Sequence, residues 1–240
     1  MVSLALALVL TAAPPAAAHG YLYRASLVQA APGRLLDVID LYRSLTAGAA
    51  ESGDEAPIAM RHSQGDRWDL LLLFPMESYG AYYAPARIAR REKAARSRER
   101  QLARLRDAVA WQEDVFALGP RLEELRGRSA TAGFFHVEMF HALPGRLSDL
   151  EREREMENAY LRALGRPQNA IFVRDQGGSW DLFTIGFYRD LKHYAESADI
   201  PEASQESAAK AAGFEGARAI GPYLRTLIGS HHDTLAVAIP

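Results

Sequence analysis

A histidine and a glutamate two residues apart, His136 and Glu138, sit in an alternating run over 134–141 that reads as a β-strand. Side chains two apart leave a strand on the same side, so this pair could do acid–base work, or the imidazole could ligate a metal or haem iron. A second strand over 179–187 sets Trp180, Leu182, Thr184 and Gly186 against Phe183, Ile185 and Phe187. Strands over 22–29 and 67–74 place Arg24, Ser26 and Val28 on one face, and Trp68, Leu70, Leu72 and Phe74 on another. The uniformly apolar sets are expected under helices and the mixed sets in an interior. That parity predicts a cavity with two tryptophan walls, Trp68 and Trp180, and a polar group of Arg24, His136, Glu138 and Thr184. A mostly apolar hollow with a few convergent polar groups is the usual form of a ligand site. The plainer account of the same residues is an interior ion pair between Arg24 and Glu138, with His136 donating to it, because buried charges need partners.

Other residues carry weaker signals. His231-His232-Asp233 precedes the last strand, and with His19 as a new amino terminus it could bind copper, which prefers nitrogen ligands. Polar residues at a strand entrance are the commoner explanation, and no metal site is assigned. The stretch Arg87–Arg106 holds nine Arg or Lys against two Glu, which fits either a solvated outer face or an anionic surface partner. The charged run Asp149–Glu157 reads as an exposed, salt-bridged helix face. Gly-rich phosphate loops, Gly-x-Ser-x-Gly and His-Glu-x-x-His are all missing from the sequence.

The elements that must position these residues come twice. A shift of 112 residues lays Ala-Ala-Pro-Gly-Arg-Leu (30–35) on Ala-Leu-Pro-Gly-Arg-Leu (142–147) and Trp68-Asp69-Leu70 on Trp180-Asp181-Leu182. Each copy reads as a strand, a helix opened by Pro-Gly, and a hairpin whose turn holds Gln64-Gly65 or Gln176-Gly177. Ser78 or Asp190 then caps a helical region broken by Pro85 or Pro201, and a last strand follows near 115–118 or 234–239. Phe74 and Leu72 of the first copy become Gly186 and Thr184, giving the second copy more room and polarity. The expected organisation is a leader at 1–18, a first module at 19–128 and a second at 129–240.

The order β-α-β-β-α-β is the ferredoxin-like split arrangement. With Gly-x-x-Trp-Asp-Leu entering the third strand, it resembles the dimeric α/β-barrel superfamily, which includes antibiotic-biosynthesis-type monooxygenases and EthD-like and NIPSNAP-like proteins. The resemblance implies an α+β fold in which two modules pair their sheets into one barrel, here within one chain, as a monomer with an internal pseudo-two-fold. It carries no catalytic residue across.

Composition sets the remaining bounds. The chain has 240 residues and a formal charge of −2, so nothing in its balance points to a polyanionic partner such as nucleic acid. It lacks cysteine, which removes disulfides, thiolate sites and a cysteine nucleophile. An apolar run from Leu4 to Ala13, then Ala16-Ala17-Ala18-His19, reads as a secretory leader cleaved after Ala18, although no Lys or Arg precedes it. No stretch is long enough to span a bilayer. These features fit a periplasmic or secreted protein holding a small, partly apolar ligand in the barrel interior. A monooxygenase-like or haem-handling enzyme, and a surface-interaction protein using residues 87–106, are the alternatives. The sequence names no cofactor.

Overall fold

The computed structural model describes residues 20–239. The leader expected over 1–18, its cleavage point and His19 lie outside that range.

Strand β1 (Tyr21–Ala30) leads through Pro32-Gly33 into α1 (Leu35–Ala47), with Gly33 at φ 76°. A short α2 (Ala49–Ser52) precedes the hairpin of β2 (Ile58–Gln64) and β3 (Leu70–Glu77). Helices α3 (Tyr79–Tyr82), α4 (Pro85–Ser97) and α5 (Glu99–Ala108) lead to β4 (Val109–Gly119). After α6 (Leu122–Ser129) the order recurs as β5 (Phe134–Ala142), α7 (Leu147–Ala163), β6 (Ala170–Gly177) and β7 (Leu182–Tyr188). Helices α8 (Leu191–Ala195), α9 (Glu202–Ala211) and α10 (Ile220–Arg225) then lead to β8 (Ile228–Ala238). No helix among the described residues is long and apolar enough to cross a membrane.

The punctuation is local chemistry. Ser78 and Asp190 each accept a hydrogen bond from the backbone N–H three residues on, capping α3 and α8. Pro85 and Glu202, the latter following Pro201, open α4 and α9. Gly65 (φ 120°) and Gly177 (φ 73°) take the left-handed turn conformation between the hairpin strands.

The Trp-Asp-Leu blocks have one structural meaning in both places. Asp69 Oδ2 accepts from the Ala30 N–H at 2.7 Å, and Asp181 Oδ2 from the Ala142 N–H at 2.9 Å. The Asp69 N–H in turn donates to the Val28 carbonyl, and the Asp181 N–H to that of Phe140. Each aspartate ties the start of a hairpin strand to the end of the strand beside it.

All eight strands pair antiparallel in the order β1-β3-β2-β8-β5-β7-β6-β4, and β4 returns to β1 to close a barrel. The joints are β2 on β8 and β4 on β6. Closure decides which side chains lie inside. Tyr23, Ala25 and Leu27 of β1, Leu71 and Leu73 of β3, Phe135, Val137 and Met139 of β5, and Phe183, Ile185 and Phe187 of β7 share one core with residues of the other four strands. Leu122 and Leu125 of α6 join this core, so α6 covers one end of the barrel. Val28, Leu70 and Leu72 instead pack with Val38, Ile39 and Leu41 of α1, and Phe140, Ile171 and Leu182 with Leu150 of α7.

The expected faces are therefore reversed. Arg24, His136, Glu138 and Thr184 lie on the outer side of the sheet, and the uniformly apolar sets fill the inside. An eight-stranded barrel is just wide enough for its own side chains, and a volume closed off from water takes apolar ones most cheaply. The outer side meets helices that leave its margins wet, and polar groups are tolerated there. Trp68 and Trp180 do belong to the inner core, apart from the polar candidates. No interior Arg24–Glu138 pair forms: Arg24 pairs with Asp114, and Glu138 with Arg154.

Candidate functional site

Two places on the outer face gather chemistry, and their β1 and β5 residues match across the 112-residue shift. Ser26 opposes Asp114 on β4, and Glu138 opposes Asp233 on β8. Arg24 and His136 precede Ser26 and Glu138 by two residues, so each half has a nitrogen-bearing side chain, a guanidinium or an imidazole, beside a β-strand aspartate.

In the first half this arrangement borders a cavity of about 320 Å³ between the sheet and helices α1, α2 and α5. Arg24, Tyr42, Phe74, Leu102, Leu105 and Gln112 are among its lining. The Arg24 guanidinium lies 4.5 Å from the centre of the Phe74 ring and 3.8 Å from Asp114. Asp114 Oδ1 already accepts from Ser26 at 2.5 Å and from Gln112 at 3.1 Å. Arg24 Nε is buried with no hydrogen-bond partner among the described residues. Burial pushes the Tyr42 hydroxyl up to about 12, leaving it a neutral donor at physiological pH. The cavity thus offers an apolar, aromatic wall, a loosely paired cation and a phenol.

In the second half the same region is filled from α7. Glu153 and Arg154 are 0% and 2% exposed, which corrects the expectation of a solvated face over 149–157. Arg154 donates to both oxygens of Glu153 at 2.5 and 2.7 Å, and lies 2.6 Å from Glu157 and 3.6 Å from Glu138. Alternating charge in a sequence looks the same whether the pairs are wet or desolvated. Thr184 donates to Glu138 at 3.0 Å. His136 Nε2 and Asp233 Oδ1 are 3.3 Å apart, and His231 Nε2 is 3.1 Å from Asp233 Oδ2. Burial alone would lower the His136 imidazole; its bond to Asp233 and the nearby Glu138 outweigh that and raise it. The bond to His136 holds Asp233 below the usual carboxylate range. Burial raises Glu153 and Glu157 against the pull of Arg154, with Glu157 pushed up to about 7.

A carboxyl raised in the folded state favours folding while protonated. The contribution of Glu157 is complete below its unfolded value of 4.5 and is lost as pH rises through about 7. Glu157→Gln should therefore match the parent in thermal stability at pH 4.5 and exceed it at pH 8. Melting curves at the two values test this, and a variant less stable at pH 8 would contradict it.

Of the six residues singled out by sequence, the structure brings His136, Glu138 and Thr184 together and puts Arg24 in the other half. Sequence reading missed Asp233 as a partner of His136, although it lay in the His-His-Asp run, and missed Arg154 and Glu157 altogether. His231 and His232 do not converge: His231 faces Asp233, whereas His232 Nδ1 is 3.0 Å from Asp66 on the other side of β8. Residues 87–106 form parts of α4 and α5, and several arginines there are structural ties. Arg87 holds Asp54 at 2.9 Å, and Arg98 donates to the carbonyls of Leu45 and Gly48.

No protein-family model and no curated protein matches this chain. Solved structures do match it. An anthrone oxidase-like protein superimposes with a TM-score of 0.53 at 11% identity, covering 91% of each chain. A proposed monooxygenase of Lactobacillus acidophilus gives 0.55 at 7% identity over 92% of this chain and 95% of its own. One from Fusobacterium nucleatum subsp. nucleatum gives 0.53 at 7% identity over 92% and 93%. The chain shares their ferredoxin-like α+β fold. At such identities the likeness extends to the fold and stops there.

Proposed function

We propose that this protein binds a small, partly apolar ligand carrying an anionic or strongly accepting oxygen, in the cavity beside Arg24. The observation that carries the reading is the loosely paired Arg24 guanidinium at an aromatic-walled cavity of about 320 Å³, within the usual size of ligand sites. The ligand's flat, apolar body would lie along Phe74, Leu102 and Leu105, and its oxygen would accept from Arg24 and Tyr42. The ligand site is thus moved from the barrel interior, which is packed, to the space under the first-half helices.

A naphthoate anion supplies that chemistry as a probe, and its fluorescence reports binding. The parent should bind it, and Arg24→Ala should weaken binding by about tenfold to a hundredfold, the loss of a hydrogen bond to a charged group. Equal affinity in the two proteins would end this reading.

A second reading is oxidation of the bound molecule by oxygen, favoured by two neighbours described as monooxygenases and one as anthrone oxidase-like. Oxygen consumption that depends on an added phenolic ligand and disappears in Arg24→Ala supports it. A haem-handling role centred on His136 is less well supported. The Nε2 of His136 already faces Asp233, and Arg154 and Glu157 occupy the space under α7.

A further inference from the structure

The second-half cluster is short of positive charge. Glu138, Glu153 and Glu157 gather around one permanent cation, Arg154, which touches all three, and the half-exposed Asp233 opposes Glu138 with the charge of Arg225 also acting on it. Charges taken out of water must be compensated, and one guanidinium does not balance three glutamates. The first half shows what the fold does otherwise. There Asp114 has the fixed cation Arg24 beside it and the neutral Ser26 opposite. At the matched positions the second half has an imidazole and a further carboxylate, His136 and Glu138.

These groups also converge. Ligand atoms of His136, Glu138 and Asp233 lie within 4.8 Å of one another, and among the described residues no other such trio forms. His231 approaches the same aspartate, its Nε2 lying 3.1 Å from Oδ2. Asn169 is 7% exposed, and its Oδ1 has no partner among the described residues. It lies above Gly186, the register partner of His136: a Cβ on that glycine would sit 2.8 Å from Asn169 Oδ1 and 3.1 Å from the Tyr188 hydroxyl. Asn169 and the Tyr188 ring fill the space a side chain at 186 would take, so the glycine lets them pack against the strand beside His136.

We infer that His136, Glu138 and Asp233 form a binding site for a divalent first-row transition-metal ion, with His231 placed to join them. Imidazole and carboxylate together suit zinc, manganese and iron(II) better than an all-oxygen ion such as magnesium. Thr184 and Arg154 each approach Oε2 of Glu138, holding that carboxylate in place as outer partners do at metal centres. A bound dication would supply the positive charge the cluster lacks. The inference stands apart from the ligand cavity, which lies in the other half.

The test uses the full chain without a histidine tag, freed of metal with a chelator and titrated with Co²⁺. Visible absorption reports coordination, and melting curves report stabilisation. One equivalent should produce d–d bands and raise the melting temperature, and Mg²⁺ at the same concentration should do neither. His136→Ala and Asp233→Asn should weaken Co²⁺ binding tenfold or more, whereas His232→Ala, on the opposite side of β8, should not change it. Asp233 is half exposed, so its variant should fold even if that of His136 does not. Absent bands, or bands unchanged in Asp233→Asn, overturn the assignment. Weakening only in His232→Ala would place the ion elsewhere and overturn it equally.

Discussion

Arg154→Met lowers stability by about 3–5 kcal/mol at pH 8, the cost of removing one partner from a buried ionic group. For a chain of this size the melting temperature should fall by roughly 6–20 °C. Met is a good helix former of similar length, so α7 itself is not the weak point. The loss arises from Glu153, fully buried with both oxygens on Arg154, and from Glu157 and Glu138, which share the same guanidinium. Uncompensated, these carboxylates must take up protons or unfold the helix from the sheet. The deficit should therefore shrink as pH falls towards 4.5, and Arg154→Met combined with Glu153→Leu should recover part of it, since an apolar replacement of both partners leaves less charge stranded. Thermal unfolding at pH 4.5 and pH 8 measures both effects. A midpoint unchanged at pH 8 would mean that the α7 cluster is not a charged network.

Trp68→Ala should cost about 3–5 kcal/mol, the range for removing a buried large aromatic. Trp68 is 1% exposed within the inner core, and its indole N–H has no hydrogen-bond partner among the described residues, so packing accounts for the loss. The same change should leave the affinity of the folded protein for the naphthoate probe within twofold, because Trp68 lines the packed inside rather than the Arg24 cavity. Denaturant unfolding followed by probe titration separates the two quantities. Lost affinity in a stably folded Trp68→Ala would restore a tryptophan-walled pocket and refute the packed interior.

Much of the architecture was legible from local rules. Pro-Gly before α1, the Gln-Gly turns, the Ser78 and Asp190 caps and the breaks near Pro85 and Pro201 are all set by neighbours in sequence. Strand alternation also separated His136, Glu138 and Thr184 from Phe135, Val137 and Phe183, but it grouped Trp68 and Trp180 with the wrong face, because they precede β3 and β7 and fall outside the alternation. Helix α6 went unseen because it carries only two buried leucines, Leu122 and Leu125, whose partners come from distant strands.

What the sequence could not decide was which face is inside. In this barrel both sides of the sheet are covered, one by the opposing strands and one by helices, so alternation reports two faces without ranking them. Closure through β2 on β8 and β4 on β6 made the apolar set the interior and turned the polar set towards the helices. Likewise, the order of charges over 149–157 gives ion pairs at helical spacing but cannot say that α7 lies flat on the sheet and dries them. Sequence by itself determined the elements, their turns and the side-chain parity. Only the tertiary structure decided that Arg24 borders a cavity, that His136 meets Asp233, and that Arg154 stands alone among carboxylates, because desolvation is set by contacts between residues far apart in the chain.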